Sequence, residues 1–357
     1  MPSSLFTSLQ IRDLTIANRS WVSPMCQYSA TDGIVGQWHR IHLGAFSTGG
    51  AGLIFVEATG VVPEGRISLG CPGIWSDEQA EAFRPIVDFA HLMNQRIGIQ
   101  LAHAGRKAST MRPWDDHLIA TASEGGWQSV SASPIAFEGM PTPDELSPRG
   151  IAEIADAFVM AAKRAIAVGF DVIELHAAHG YLFHQFLSPL SNMRVDEYGG
   201  NFEGRTRFLR EVAQRVRESI PVGVPLFIRI SATDWVDGGW DIEESISLAR
   251  ELKKVGVDLI DVSSGGLIRN AKVPFGPGFQ VPFAKAIRKE TGILTSAVGM
   301  ITEVDQAEEV IASGGADAVM MAREMLRNPR WALNAAEQLG ARADWPAPIR
   351  GASKKPR

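Results

Sequence analysis

The chain contains eight short apolar segments that alternate with helical patterns along its length. Most of these segments are rich in Val, Ile and Leu on both faces, which is typical of parallel strands covered by helices. Eight strand–helix units favour a closed barrel over an open sheet. The sequence therefore predicts one α/β domain, a (β/α)8 TIM barrel, with strands at residues 20–24, 52–58, 97–102, 172–176, 226–231, 259–263, 294–297 and 318–321.

The connections between these strands carry helix signals and one long insertion. Ser147 and the proline after it begin a helix with apolar residues at helical spacing, and Gly169 ends it. Asp241 begins another helix, which ends at Gly256. Residues 105–148, after the third strand, are too many for a simple βα loop. We expect them to form an excursion over the barrel mouth, with a small hairpin.

Length and composition limit the class of protein. A chain of 357 residues fits one barrel, so we assign residues 1–350 to it and expect residues 351–357 to be a disordered polar tail. The 45% hydrophobic and 21% charged content is typical of a globular protein with a large core. A net charge of −5 gives no basic face for nucleic acid or an anionic membrane.

The cysteines and the N-terminus indicate the compartment. Only two cysteines, Cys26 and Cys71, are present, which excludes a disulfide scaffold or a site of four thiolates. The first residues have no charged start followed by an apolar core, and no apolar stretch reaches bilayer length. We therefore expect a cytoplasmic protein with no membrane span.

The segment His176-Ala-Ala-His179-Gly-Tyr181 follows the fourth predicted strand. The C-terminal ends of barrel strands carry the chemistry of this fold, because their loops vary while the strands hold them in place. Two imidazoles and a phenol at such an end could bind a carbonyl oxygen and deliver a proton near it.

Other polar residues stand at the same end of the predicted strands. Arg229 nearly ends an apolar strand, and a guanidinium beside a barrel core needs an anion or a polar ligand. Gln100 also needs partners, which could be backbone groups. Cys26, beyond the first strand, is either a ligand contact or a buried thiol, and Cys71 is interpreted as a packing or loop residue.

The last two βα loops are the usual phosphate position of the barrel. Gly299 allows close approach of the backbone after the seventh strand, and Arg323 adds a positive charge after the eighth. Together they predict a phosphate-bearing ligand.

A metal-dependent barrel hydrolase is the alternative function. His176 and His179 have a spacing at which zinc ligands occur, but a catalytic site also needs a third protein ligand and supporting carboxylates. His39 and His42 form a second pair at this spacing, inside the predicted first helix, where a structural role is as probable as any other. We predict no metal.

Taken together, these segments resemble the old yellow enzyme family of flavin-dependent ene-reductases, and most closely its bacterial branch of NADPH dehydrogenases and xenobiotic reductases. The resemblance covers nearly the whole chain. It rests on residues 23–28 (SPMCQY), 73–77 (GIWSD), 98–107 (GIQLAHAGRK), 176–181 (HAAHGY), 187–192 (LSPLSN) and 196–200 (DEYGG), with Asn201 and Arg205 after them.

The resemblance implies non-covalent FMN at the barrel mouth. Arg229 would lie near the pyrimidine edge of the flavin, where a guanidinium stabilises the negative charge of the reduced ring. The phosphate would be held by Gly299, Ala322 and Arg323, although the family commonly has glycine where Ala322 stands. The residues implied to line the flavin are Ser23, Pro24, Met25, Cys26, Ala58 and Gln100.

The resemblance also implies the reaction. NADPH or NADH would reduce the flavin, which would pass hydride to the β carbon of an electron-poor alkene such as an α,β-unsaturated carbonyl compound. Nitro compounds and quinones are further candidates. His176 and His179 would bind the carbonyl oxygen, with Tyr28 beside them. Tyr181 would protonate the α carbon.

The family favours homodimers or homotetramers. Relatives end in a segment with an aromatic residue and an arginine that can reach a neighbouring subunit's site. Here Arg350 follows proline and isoleucine and has no aromatic residue after it.

Overall fold

The computed structural model describes residues 3–354. In these residues the strands are β1 Leu9–Ile11, β2 Leu14–Ile16, β3 Ser20–Val22, β4 Leu53–Gly60, β5 Arg96–Ala102, β6 Val130–Ser131, β7 Asp144–Glu145, β8 Val172–Ala177, β9 Leu226–Ser231, β10 Leu259–Ser263, β11 Leu294–Ala297 and β12 Ala318–Met321. The α-helices are α1 Gln37–Ser47, α2 Asp77–Leu92, α3 Pro148–Ala167, α4 Leu182–Leu187, α5 Phe202–Ser219, α6 Ile242–Lys254, α7 Val281–Thr291, α8 Val304–Ala312, α9 Arg323–Arg327 and α10 Trp331–Gln338. Short 3₁₀ helices lie at Pro63–Gly65, Gly105–Lys107, Ala122–Glu124 and Ala347–Ala352.

Eight parallel strands close into a barrel in the order β3-β4-β5-β8-β9-β10-β11-β12, with β12 paired to β3. The predicted (β/α)8 barrel is therefore confirmed. The eight predicted segments are its strands, with bounds that differ by up to two residues. The second strand differs most in shape, since a bulge between Val56 and Ala58 gives Glu57 no partner in β5.

The bottom of the barrel is closed by a hairpin that the sequence analysis did not predict. Strands β1 and β2 pair antiparallel with Leu9 opposite Ile16. Their apolar side chains pack on residues at the N-terminal ends of the barrel strands, among them Trp21 and Phe227, whose rings stack 5.9 Å apart. Water is thus excluded from the end of the barrel opposite to the predicted site.

The helices begin where side chains can cap them. Ser147 accepts a hydrogen bond from the backbone N–H of Gly150 at 3.1 Å, and Asp241 accepts one from Glu244 at 2.9 Å. Gly169 and Gly256, both with positive φ, follow the ends of these two helices. The two predicted helices are confirmed.

The excursion after β5 contains a small antiparallel bridge between Thr110 and Ile119, in agreement with the predicted small hairpin. Backbone hydrogen bonds from Met111 to Leu118 at 2.9 Å and from Ala120 to Ser109 at 3.0 Å flank it.

Strands β6 and β7 of the same excursion pair in parallel, with Val130 opposite Asp144. The connection between them is long enough to return the chain in the same direction. Buried Arg106 ties the excursion to the barrel mouth, because it donates to the carbonyl oxygens of Ile135 at 3.2 Å and Leu267 at 3.0 Å.

No helix in residues 3–354 is long and apolar enough to cross a membrane. The predicted disordered tail is only partly within these residues. Gly351 and Ala352 belong to the last 3₁₀ helix, whereas residues 355–357 lie outside the described residues.

Candidate active site

The turn after β8 brings three predicted residues together at the mouth. His176 lies in the strand, while His179 and Gly180 have positive φ values of 59° and 72° that reverse the chain before α4. The rings of His176 and His179 are 5.2 Å apart and nearly perpendicular. The ring of Tyr181 is 4.9 Å from that of His176, also nearly perpendicular. The three groups therefore surround one small volume.

A third histidine, which the sequence analysis missed, holds this turn. The N–H of Gly180 donates to Nδ1 of His184 at 2.9 Å, and Nε2 of His184 is 2.8 Å from Asp234. Asp234 in turn accepts hydrogen bonds from Ser188 at 2.6 Å and from the backbone of Trp240 at 2.8 Å. All of these groups are buried. A histidine among the apolar residues of α4 was the available signal.

A lysine holds the turn from its other side. Lys107 donates to the carbonyl oxygens of His179 at 2.8 Å and Gly266 at 3.0 Å. Its ammonium nitrogen is 5.1 Å from the centre of the Tyr181 ring. Burial, followed by the charge of Arg106, lowers the pKa of Lys107 to about 8.

Both imidazoles of the pair are neutral. Burial is the main cause that holds the pKa of His176 and of His179 well below its usual range, and neighbouring cations such as Arg229 add to it. Nδ1 of His176 accepts a hydrogen bond from the N–H of Ala178 at 3.3 Å, so its proton is on Nε2. Nε2 of His179 is 2.7 Å from the hydroxyl of Ser263. His176 therefore offers Nε2 to a ligand, and His179 offers Nδ1.

Tyr181 keeps its proton. Burial raises the pKa of this phenol well above its usual value, and the nearby Cys26 and Tyr28 side chains act in the same direction. A buried neutral phenol can donate a proton to a group that becomes strongly basic during a reaction.

Charged residues on the interior of the barrel form the floor of the site. Arg229 on β9 pairs with Asp261 on β10, and its Nη2 donates to Ser23 at 2.8 Å. The sequence predicts an anion beside Arg229, and the structure shows that this anion is the carboxylate of Asp261, which the sequence analysis did not name. Gln100 on β5 donates to Glu174 on β8 at 2.7 Å. Register places each pair directly opposite on neighbouring strands.

Glu174 is an acid that burial keeps protonated. Burial, and then the charge of Asp261, raises the pKa of Glu174 to about 8, although Arg229 and Gln100 oppose the shift. Its Oε2 has no hydrogen-bond partner within residues 3–354. Such a group is stable as a neutral acid and costly as an anion.

The folded protein therefore binds a proton at Glu174 that the unfolded chain releases near pH 4.5. This contribution to stability is present below that pH and is lost as the pH rises through about 8, at up to about 1.4 kcal/mol per pH unit. We expect Glu174→Gln to remove this loss, so that its stability falls less than that of the wild type between pH 5.5 and pH 8. Urea unfolding at both pH values measures it, and parallel wild-type and variant profiles would contradict it.

The loop after β3 is fixed by a second buried acid. The backbone N–H of Gln27 donates to Glu57 at 2.7 Å, and Nε2 of His39 lies 3.2 Å from the same carboxylate. Burial raises the pKa of Glu57, while His39 opposes the shift. Burial and then His39 lower the pKa of His42 to about 4. These histidines pack behind the loop and do not join the pair at the mouth.

The two cysteines lie together beside this loop. Cys26 packs against a small apolar cluster that contains Cys71, Ala58 and Ala102. Tyr28, with φ of +50°, contacts the edge of exposed Trp114 at 6.1 Å between ring centres. Cys71 is buried in the loop between β4 and α2, in agreement with its interpretation as a packing or loop residue.

The predicted phosphate residues follow β11 and β12, which are neighbours in the barrel. Gly299 has φ of +128°, and a Cβ there would lie 2.9 Å from Nε2 of Gln280, so glycine is required. Ala322 is the residue before α9, and exposed Arg323 has no ion-pair partner within residues 3–354. A free cation beside an open backbone suits an anionic group.

The donor set fits FMN. The amide of Gln100, the guanidinium of Arg229 and the hydroxyl of Ser23 are buried donors at the floor, where a flavin ring presents acceptors. Gly299 and Arg323 offer the phosphate a backbone approach and a charge. Within residues 3–354, no three His, Cys, Asp or Glu side chains are grouped as metal ligands would be.

Comparisons with known proteins agree with this geometry. The family model described as NADH:flavin oxidoreductase / NADH oxidase family matches residues 4–341. An NADPH dehydrogenase of Geobacillus sp. is 48% identical over 95% of this chain and 96% of its own, and one of Bacillus subtilis is 47% identical over 98% of both. Morphinone reductase superimposes with a TM-score of 0.81 at 27% identity over 100% of this chain and 99% of its own. An old yellow enzyme homologue from Zymomonas mobilis gives a TM-score of 0.77 at 28% identity, over 96% and 94%.

The family model and these two dehydrogenases match almost the whole barrel, and this chain covers 96% and 98% of the dehydrogenases' lengths. They agree with the oxidoreductase function, the FMN cofactor and the nicotinamide donor that the sequence predicts. The chain belongs to the NADH:flavin oxidoreductase / NADH oxidase family, and it is an FMN-dependent oxidoreductase of the old yellow enzyme type that takes its electrons from NAD(P)H.

Proposed function

We propose that the electron acceptor is a small α,β-unsaturated carbonyl compound whose carbon–carbon double bond is reduced. The observation that carries this proposal is the pair of neutral imidazoles at right angles beside a protonated phenol. Nitro compounds and quinones also present oxygen acceptors that this pair could bind. FMN, when bound, accepts hydride from NAD(P)H and delivers it to the β carbon of the acceptor.

The two histidines act on the carbonyl oxygen. His176 donates from Nε2, because the N–H of Ala178 occupies its Nδ1. His179 donates from Nδ1 when the Ser263 hydroxyl donates to its Nε2. These two hydrogen bonds draw electron density from the β carbon and strengthen as the oxygen becomes negative. Tyr28 lies on the same side of the mouth and completes the acceptor site.

Tyr181 supplies the proton. Its hydroxyl protonates the α carbon of the developing enolate, and water restores the proton afterwards. The high pKa of the phenol keeps the proton in place until the enolate forms. Lys107, 5.1 Å from the ring centre, is placed to stabilise the transient phenolate.

We assign the cofactor contacts by position in the mouth. The isoalloxazine ring would be held by residues of β4, β5 and β9 and of the loop after β3, and the phosphate by the loops after β11 and β12. The ring contacts are Ser23, Pro24, Met25, Cys26, Ala58, Gln100 and Arg229, and the phosphate contacts are Gly299, Ala322 and Arg323.

A two-step experiment tests the function. Under anaerobic conditions, NADPH should bleach the flavin absorbance, and 2-cyclohexenone should then restore it with formation of cyclohexanone. NADH in the first step measures the preference for either nicotinamide. A flavin that NADPH reduces but that no enone reoxidises would overturn the proposal, and reoxidation by quinones or nitro compounds alone would assign the site to those acceptors instead.

Tyr181→Phe separates the two half-reactions. Removal of a general acid slows the step that needs its proton by a factor of about 10² to 10⁴. We expect stopped-flow measurements to show this slowing for reoxidation by cyclohexenone and little change for flavin reduction by NADPH. Equal slowing of both steps would argue against the proton-donor role.

The assembly and compartment are part of the proposal. We infer a homodimer or homotetramer in the cytoplasm, supported by exposed apolar side chains on α1 and α2, namely Trp38, Ile41, Phe89 and Leu92. A self-contact there would bury them. Light scattering after size exclusion should give two or four times the 38.7 kDa chain mass, and a monomer would refute it. Whether Arg350 reaches a neighbouring site depends on this assembly.

A further inference from the structure

The two cysteines of the chain, distant in sequence, meet at the barrel mouth. Cys26 packs against an apolar cluster that contains Cys71 together with Ala58, Ile67 and Ala104. Cys71 is buried, with 1% of its surface exposed, whereas Cys26 is only half-buried. Since the composition supplies only two thiols in 357 residues, their contact makes a pair available for chemistry that neither could perform alone.

Backbone contacts, rather than the thiols, hold the two segments together. The N–H of Ala30 donates to the carbonyl oxygen of Gly70 at 2.8 Å, and that of Gly73 donates to Gly33 at 2.8 Å. At Gly70 the two segments pass so closely that a Cβ would lie 2.3 Å from the carbonyl oxygen of Tyr28. The approach of Cys71 to Cys26 is therefore built into the loops.

We propose that Cys26 and Cys71 form a reversible intramolecular disulfide when the enzyme meets a peroxide, and that this bond alters the flavin site. Cys26, the more exposed thiol, is oxidised first: its sulfur attacks hydrogen peroxide, the O–O bond breaks, and sulfenic acid and water form. Cys71 then attacks that sulfur, so that the S–S bond forms and a second water leaves. Two thiols are oxidised and one peroxide is reduced.

The contact between the two cysteines also protects the reduced thiols from oxidation. The neighbouring Cys71 thiol, and then burial, raise the pKa of the Cys26 thiol well above its usual value. Because the thiolate is the reactive form, Cys26 resists electrophiles at neutral pH, and oxidation should need a sustained excess of peroxide. The disulfide would draw the Cys26 sulfur toward Cys71 and change its packing beside Tyr28, which lies against the same cluster.

The reduced holoenzyme treated with hydrogen peroxide tests the inference. We expect both thiols to disappear from a denatured thiol assay, the intact mass to fall by about 2 Da, and a peptide that joins positions 26 and 71 to appear in a non-reducing map. The flavin absorbance should shift, and dithiothreitol should reverse every change. Cys71→Ser should instead accumulate oxygen on Cys26 without a cross-link, and Cys26→Ser should give neither.

Several results would overturn it. They are oxygen added to wild-type Cys26 while Cys71 stays free, disulfide-linked dimers, or two intact thiols after prolonged exposure. A disulfide with an unchanged flavin spectrum would remove the link to the cofactor, which rests on the proposed contact of Cys26 with the flavin. Thiol counts and masses do not depend on the acceptor, so failure of the enone assay and failure of this inference are distinguishable.

Discussion

The double variant His176→Ala, His179→Ala is expected to lose affinity for phenols by roughly a hundredfold or more while it keeps its flavin. Phenols place an oxygen where the acceptor carbonyl would lie, and each hydrogen bond to a charged oxygen contributes about 1.5–3 kcal/mol. Loss of two such bonds, about 3 kcal/mol at the lower limit, corresponds to about two powers of ten in the dissociation constant. Titration of the flavin spectrum with phenol measures it.

Two control variants distinguish the loss of hydrogen-bond donors from general damage to the fold. His91→Ala removes a partly exposed histidine that pairs with Asp171 on the outer surface, and it should bind phenol as the wild type does. Asparagine at both positions restores an N–H donor and should recover part of the affinity. Phenol binding that survives in the double alanine variant, with flavin content intact, would refute the proposed role of the pair.

The fold was predictable because its signal is repeated. Each of the eight apolar segments predicts a strand that is buried on both faces, and eight such strands indicate a sheet that closes into a barrel. The hairpin at the barrel bottom escaped prediction because Leu9–Ile11 and Leu14–Ile16 are only three residues long each. The four inward side chains of the hairpin pack on Trp21 and other side chains of the barrel. These contacts join residues that are distant in sequence, so a local pattern does not predict them.

The site residues at the ends of strands could be predicted from the sequence, whereas those inside strands were missed. His176, His179 and Tyr181 stand where the barrel displays side chains, so position alone selected them. Asp261 and Glu174 lie inside strands whose every residue is buried, and an acid in such a strand is itself a signal that was not used. The contact of Cys26 with Cys71 joins two loops, and no local pattern specifies such a meeting.

Arg229→Met should be the most damaging single change in the floor of the site. The guanidinium pairs with Asp261, and its Nη2 also contacts Ser23 and the sulfur of Met320. Methionine fills a similar volume but leaves Asp261 as an uncompensated buried charge. Removal of one partner of a buried pair costs about 3–5 kcal/mol. Urea unfolding should show this loss, together with weaker FMN retention.

A second substitution identifies the cause of this loss. Arg229→Met leaves the buried carboxylate of Asp261 without its cation, and adding Asp261→Asn removes that charge. The double variant should therefore regain part of the stability that the single variant loses, and urea unfolding of both variants measures it. A double variant that is no more stable than Arg229→Met would assign the effect to lost packing rather than to charge.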